Sequence, residues 1–305
     1  MNFIDDNGVS PDAFESGGST DSEPTRPESI LSYEAAQPGQ VMYGAQPSPE
    51  AYGTQSPLLP EDLRVPWGWL DLLLVAFLWF GVMVLSVFGL AILGWSRNWN
   101  TSDKSFFIVF DQVIVSVVVL CYLAVQLRLR FNLRFWHTLG WRWLTINKTP
   151  PAVVYLGLIC GGFMLSILVQ LGSVAVGTKG KLPIEAFFQD RKTALLLMLM
   201  SVLLAPLFEE TIFRGYIYPV VARTFGITTG IIATGTLFGL LHAEQLWGGW
   251  GQIGLLILVG IVFTWLRAVT KTVLASYLVH LSYNSTLFFA FLFAFHGFRS
   301  LPAGK

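Results

Sequence analysis

Two adjacent carboxylates and an arginine interrupt a long apolar stretch of this chain. Residues 193–208 carry no charge, and they are followed at once by Glu209, Glu210 and then Arg214. A charged side chain at bilayer depth costs about 2.5–3.5 kcal/mol on insertion scales. A chain that keeps three such groups within six residues needs either a structure that compensates them or a function that uses them.

The spacing of these groups predicts different roles for the two acids. Glu210 and Arg214 are four residues apart, so they share a helix face, with the acid on the favourable N-terminal side. Glu209 points about 100° away in a helix of 3.6 residues per turn and has no cation within a turn. We interpret Glu210–Arg214 as a buried structural pair and Glu209 as the working carboxylate. In the alternative interpretation both acids only face water at a helix end.

The composition places the chain among membrane proteins. Of its 305 residues, 53% are hydrophobic and 12% are charged, whereas soluble domains carry about 25% charged residues. The apolar runs predict an all-α membrane protein, a polytopic bundle of about seven or eight transmembrane helices. They cover residues 72–95, 106–127, 152–176, 193–208, 227–241, 253–266 and 273–295. Trp67 and Trp69 precede the first run and are expected to be interfacial anchors.

Three regions follow from the distribution of residue types. Residues 1–62 are rich in Pro, Ser, Gly and acids and predict a disordered tail, which is suited to a protein partner. Residues 63–150 hold two transmembrane helices and a basic, aromatic segment that is expected to lie in the membrane interface. Residues 151–298 form the core that holds the polar groups. The basic excess of the membrane part predicts topology and not nucleic-acid binding.

Other polar residues occur in the apolar runs of the second half. His242 ends one run, four residues after Phe238, and the last run contains His280 and Asn284 on one helix face. Ionisable groups inside spans usually face the bundle interior or a water-filled cavity. A carboxylate, two imidazoles and an amide are the groups needed to activate a water and stabilise an oxyanion. The alternative for each group is hydrogen bonding between helices.

Taken together, three motifs resemble those of the CAAX protease and bacteriocin-processing (CPBP, or Abi) family of intramembrane proteases, which includes the type II CAAX prenyl endopeptidases. They are Glu-Glu-x-x-x-Arg at 209–214, Phe-x-x-x-His at 238–242 and His-x-x-x-Asn at 280–284. The resemblance covers roughly residues 150–295. It implies a helical bundle with a polar intramembrane cavity and an endopeptidase that cleaves a membrane-associated or prenylated peptide.

The resemblance also implies a role for each motif residue. Glu209 and His242 would polarise the attacking water, and His280 and Asn284 would stabilise the oxyanion. The supporting residues would be Glu210, Arg214 and Phe238.

The need for a metal is open at the level of sequence. Two His and one Glu can form a catalytic zinc site, and here they would be Glu209, His242 and His280. The His-Glu-x-x-His signature of zinc proteases is absent, and a glutamate–histidine pair needs no metal. We expect no cofactor, with zinc as the alternative.

Two other functions compete with proteolysis. The long tail suits a membrane scaffold with an idle site, and buried Glu and His also occur in transporters, although no internal repeat is visible. The expected surroundings are a lipid bilayer. The compact size and the lack of a recognised organelle-targeting segment favour the bacterial cytoplasmic membrane, with an internal eukaryotic membrane as the alternative.

Overall fold

The computed structural model describes residues 59–146, 149–177, 187 and 190–294. Most of the predicted disordered tail, residues 1–58, lies outside the described residues. The last part of that tail is described. Residues Glu61–Leu63 form a short 3-10 turn, and Asp62 forms an ion pair with Arg267 at 2.8 Å.

The described part of the chain is helical, with eight helices and no strand. They are α1 (Trp69–Ser96), α2 (Thr101–Leu129), α3 (Phe135–Thr138), α4 (Pro151–Val176), α5 (Arg191–Phe225), α6 (Ile227–Leu241), α7 (Trp250–Thr270) and α8 (Val273–Ala294). Five of these helices, α1, α2, α4, α5 and α7, are long and apolar enough to cross a membrane. The predicted polytopic helical membrane fold is confirmed.

Consecutive long helices run in opposite directions, so four segments that carry most of the described cations meet at one end of the bundle. The segment before α1, the loop between α2 and α4, the α5–α6 turn and the α7–α8 turn all lie at this end. For example, the amide of Val273 donates to the carbonyl of Gly140 at 2.9 Å. We call this end the basic end. Its cations are Arg64, Arg128, Arg130, Arg134, Arg142, Arg223, Arg267 and Lys271.

The segment before α1 packs against the C-terminal half of α5. The indole of Trp67 stacks on the ring of Tyr216 at a centroid distance of 5.1 Å and donates a hydrogen bond to the Tyr216 carbonyl at 2.9 Å. Arg223 donates to the carbonyl of Trp67 at 2.9 Å. Trp67 is fully buried, so the expectation that it anchors the chain in the membrane interface is wrong. Trp69 is half-exposed.

Helices α6 and α7 cross at a pair of glycines. A Cβ atom added to Gly235 would lie 2.4 Å from the amide nitrogen of Ile261, and one added to Gly260 would lie 2.4 Å from the Gly235 carbonyl oxygen. Any side chain at this crossing would therefore separate the helices. The close approach matters for the site because the carbonyl of Gly260 accepts a hydrogen bond from Arg214 at 2.9 Å.

We expect Gly260→Ala to destabilise the protein by about 1–3 kcal/mol, the usual cost of overpacking a filled interior. Gly254→Ala on the same helix is the matched control, because a Cβ atom there meets nothing within 4 Å. The control is expected to be neutral or slightly stabilising. Thermal unfolding of both variants in detergent checks this, and equal midpoints would contradict the assigned crossing.

Candidate active site

The structure brings Glu209, His242 and His280 together from three helices. One carboxylate oxygen of Glu209, Oε1, lies 3.8 Å from Nε2 of His242. The other, Oε2, lies 3.6 Å from Nε2 of His280. Glu209 has no cation within one turn on its own helix. Its partners come instead from α8 and from the residue that follows α6.

Both imidazoles are oriented through their other ring nitrogen. Nδ1 of His242 lies 2.8 Å from the carbonyl oxygen of Phe238, and Nδ1 of His280 lies 2.9 Å from Oε1 of Glu210. A carbonyl or carboxylate oxygen only accepts hydrogen bonds, so each Nδ1 carries a proton. In the neutral imidazoles, Nε2 is therefore unprotonated and its lone pair is directed to the side on which Glu209 lies.

Glu210 and Arg214 form the ion pair that their spacing predicts. The guanidinium donates to Oε1 of Glu210 at 3.0 Å, and both side chains have an exposed fraction of 0%. Glu210 thus connects the arginine to His280. The two adjacent acids differ in accessibility, because the side chain of Glu209 is 17% exposed, whereas that of Glu210 is 0% exposed. The side chain of His242, beside Glu209, is 23% exposed. Glu209 therefore has accessible surface, whereas Glu210 has none.

Three aromatic rings surround the buried guanidinium of Arg214. Its central carbon lies 4.6 Å from the ring centroid of Phe238, 5.4 Å from that of Phe263 and 5.7 Å from that of Phe213. Such cation–π contacts are worth about 2 kcal/mol or more when the cation is desolvated. Phe238 also contacts His242, with a centroid distance of 4.8 Å. The predicted supporting residues Arg214 and Phe238 therefore form one packed unit.

Asn284 lies one helical turn from His280 and binds the backbone of α5. Its amide nitrogen donates to the carbonyl oxygen of Ser201 at 2.7 Å. Local π-type bonding explains why this carbonyl is available. The amide of Ala205 donates to Met200, five residues earlier, and the corresponding donor for Ser201 would be Pro206, which has no N–H. Asn284 supplies the missing hydrogen bond.

We expect Asn284→Leu to destabilise the protein by about 1–3 kcal/mol, because the Ser201 carbonyl then loses a donor. Adding Pro206→Ala restores a backbone N–H at the position where the π register requires one. Pro206→Ala is expected to stabilise Asn284→Leu by more than it stabilises the wild type. A double-mutant cycle on unfolding midpoints measures the difference, and strictly additive effects would contradict it.

Sequence reasoning missed two groups that support the site. Phe263 packs against His280 at a centroid distance of 4.6 Å, but a phenylalanine in an apolar helix carries no distinguishing signal. The hydroxyl of Tyr216 donates to Gln126 at 2.9 Å, and Gln126 donates to Asp71 at 3.0 Å. This buried network fixes α5 against α1 and α2. The polar residues Asp71 and Gln126 near the ends of apolar runs were the available signal.

No group of three or more His, Cys, Asp or Glu side chains that could hold a metal ion occurs among residues 59–146, 149–177 and 190–294. The expectation of a metal-free mechanism, with zinc as its alternative, stays a prediction.

The helices and the polar site together define a polytopic membrane protein with a carboxylate–imidazole cluster inside the bundle. Residues 191–286 match the model of a protein family described as type II CAAX prenyl endopeptidase Rce1-like. The matched segment contains all seven residues of the three motifs, so the predicted resemblance to the CPBP family is confirmed for this part of the chain. Searches of curated proteins and of solved structures gave no significant match. The chain is thus an integral membrane protein with a segment that is similar to the type II CAAX prenyl endopeptidases.

Proposed function

We propose that the protein is an intramembrane endopeptidase in which Glu209 and His242 activate the water that attacks the scissile amide. The observation that carries the proposal is the position of the Glu209 carboxylate between two imidazole Nε2 atoms, at 3.8 and 3.6 Å. These separations leave each pair without a direct hydrogen bond. A water that donates one hydrogen to Glu209 and the other to Nε2 of His242 would connect the first pair.

The proposed reaction uses an ionised Glu209 and a neutral His242 with its proton on Nδ1. The water oxygen attacks the carbonyl carbon of the scissile amide while Glu209 accepts one of its protons, and the carbonyl oxygen becomes an oxyanion. The C–N bond then breaks as the proton on Glu209 passes to the leaving nitrogen. The products are a carboxylic acid and an amine, and the carboxylate of Glu209 is restored. His242, held through Nδ1, orients the water and raises its nucleophilicity.

His280 and Asn284 are the proposed oxyanion donors. His280 donates to Glu210 through Nδ1–H, so donation to the oxyanion requires the imidazolium form, which carries a second proton on Nε2. That Nε2–H points toward the reacting centre. Asn284 donates to Ser201 through its amide nitrogen, and the side-chain amide has two N–H groups. Its second N–H is the proposed donor. Loss of one oxyanion donor typically costs about 10²–10³-fold in kcat.

The zinc alternative uses the same three side chains in another way. Glu209, His242 and His280 would then be ligands, and the metal would supply an activated water. In the scaffold alternative the protein binds a partner without cleaving it.

The proposed substrate is a membrane-associated or prenylated CAAX-type peptide in the bacterial cytoplasmic membrane. The N-terminal tail is a proposed site for a protein partner.

Cleavage of a panel of membrane-associated and prenylated peptides by the full-length protein in proteoliposomes tests the proposal. Wild-type protein is assayed with and without phenanthroline, and zinc is then added back. Cleavage that persists with the chelator supports the metal-free mechanism. Cleavage that is lost with the chelator and restored by zinc supports the zinc alternative. Absence of cleavage across the panel would favour the scaffold.

A further inference from the structure

A cavity of about 200 Å³ lies at the basic end, away from the cluster of Glu209 and the histidines. It is formed by the segment before α1, the loop after α3 and the last turn of α7. Its charged lining residues are Arg64, Arg142, Arg267, Lys271, Glu61 and Asp62. Four cations thus face two acids, and His137 lies in the same wall.

The acids neutralise only part of this positive charge. Asp62 pairs with Arg267 at 2.8 Å, and both side chains are buried. Glu61 lies 4.0 Å from Arg142, but the two side chains are 84% and 40% exposed, and an exposed pair of this kind contributes little. The ammonium of Lys271 has no ion-pair partner in the part of the chain that the structure describes.

Two donors at the cavity wall lack an acceptor. The Nε atoms of Arg142 and Arg267 are buried, and neither has a hydrogen-bond partner among the described residues. A buried donor without an acceptor is costly, so such a group in a folded protein requires an explanation. Neither Nε atom has accessible surface, so an anion in the cavity would contact the accessible ends of Arg142 and Lys271 and would reach these Nε–H groups only after the side chains shift.

The backbone around the cavity holds the cations in place. The hydroxyl of Thr272 donates to the carbonyl of Arg142 at 2.6 Å. The amide of Lys271 donates to the carbonyl of Arg267 at 2.9 Å, and Lys271 itself has a left-handed conformation with φ of 57°. The loop after α3 is thus fastened to the α7–α8 turn. A site built on such fixed backbone needs little reorganisation to bind a ligand.

Exposed tryptophans place the cavity at the depth of lipid headgroups. Trp136 and Trp143 lie beside the cavity residues His137 and Arg142 in sequence, and Trp265 lies two residues before Arg267. All three indoles are at least half-exposed. Tryptophan is enriched at the membrane–water interface, and cationic loops are enriched on the cytoplasmic side. Anionic lipids concentrate in the cytoplasmic leaflet.

We infer that this cavity binds a phosphate group, and that the source of the phosphate is the headgroup of an anionic phospholipid. Arg142 and Lys271 are the main contacts, because a planar guanidinium binds phosphate through paired N–H groups and an ammonium binds it as a point charge. A free phosphate ion shares this chemistry, and the experiment separates the two sources. The inference does not depend on the proposed proteolytic function.

The test measures lipid binding to the full-length protein in detergent micelles. Phosphatidylglycerol, phosphatidylcholine and inorganic phosphate are added separately, and retained lipid is quantified by native mass spectrometry alongside the unfolding midpoint. The double variant Arg142→Gln/Lys271→Gln is compared with Arg97→Gln/Lys104→Gln, which removes two exposed cations at the opposite end of the bundle. Lys271→Arg keeps the charge and tests whether substitution at this turn alone disturbs the fold.

Phosphatidylglycerol is expected to bind the wild type and to raise its unfolding midpoint. The cavity double variant is expected to bind it about fivefold more weakly for each cation removed, while the control pair and Lys271→Arg bind as the wild type does. Unchanged affinity in the cavity double variant, or an equal effect of phosphatidylcholine, would overturn the proposal. An equal effect of inorganic phosphate would overturn the lipid source.

Discussion

Glu209→Gln is expected to reduce kcat/KM for peptide cleavage by about 10²–10⁴-fold, the range that a positioned general base contributes. Glutamine has nearly the same shape as glutamate, but it cannot accept a proton from water. The side chain is partly exposed, so the substitution leaves no buried charge unpaired, and the fold is expected to persist. The effect should therefore appear in catalysis and not in stability.

Glu244→Gln is the matched control for this experiment. Glu244 lies two residues after His242 and is exposed. The control should cleave at the wild-type rate. Rates are measured in proteoliposomes, and the unfolding midpoints of both variants are measured in detergent. Wild-type cleavage by Glu209→Gln would exclude Glu209 as the base.

The different surroundings of Glu209 and Glu210 could be predicted from the sequence, because they follow from helical periodicity. Glu210 and Arg214 share a face, and the structure shows them paired and fully buried. The partners of Glu209 were less accessible to such reasoning, since they come from other helices. The motifs identified His242 and His280 as candidates, but sequence spacing carries no information on which oxygen faces which ring. The catalytic roles themselves stay predictions.

The surroundings of the site show where sequence reasoning stops. Trp67 was expected at the membrane interface because tryptophan is enriched there, yet it is buried against Tyr216. Phe263 could not be distinguished from other apolar residues of α7, although it contacts both Arg214 and His280. Contacts of this kind depend on how helices pack, and the close crossing at Gly235 and Gly260 decides that packing.

Arg214→Met is expected to destabilise the protein by about 3–5 kcal/mol, the usual cost of breaking a buried ion pair on one side. The substitution roughly preserves side-chain volume, so the dominant effect is electrostatic. It leaves the carboxylate of Glu210 without its guanidinium donor. The remaining contact of that carboxylate is His280 through Oε1, because Oε2 has no hydrogen-bond partner among the described residues. The Gly260 carbonyl loses its donor as well.

The double variant Glu210→Gln/Arg214→Met separates stability from activity. Removing the second charge eliminates the unpaired carboxylate, so the double variant should recover much of the stability that Arg214→Met loses. Activity should stay low, because a neutral amide holds His280 less firmly than a carboxylate does. Unfolding midpoints in detergent and cleavage rates in proteoliposomes are compared across the two single variants and the double variant. A double variant as unstable as the sum of the singles would show that Glu210 and Arg214 are not coupled. Recovery of both stability and cleavage would show that Glu210 does not position His280.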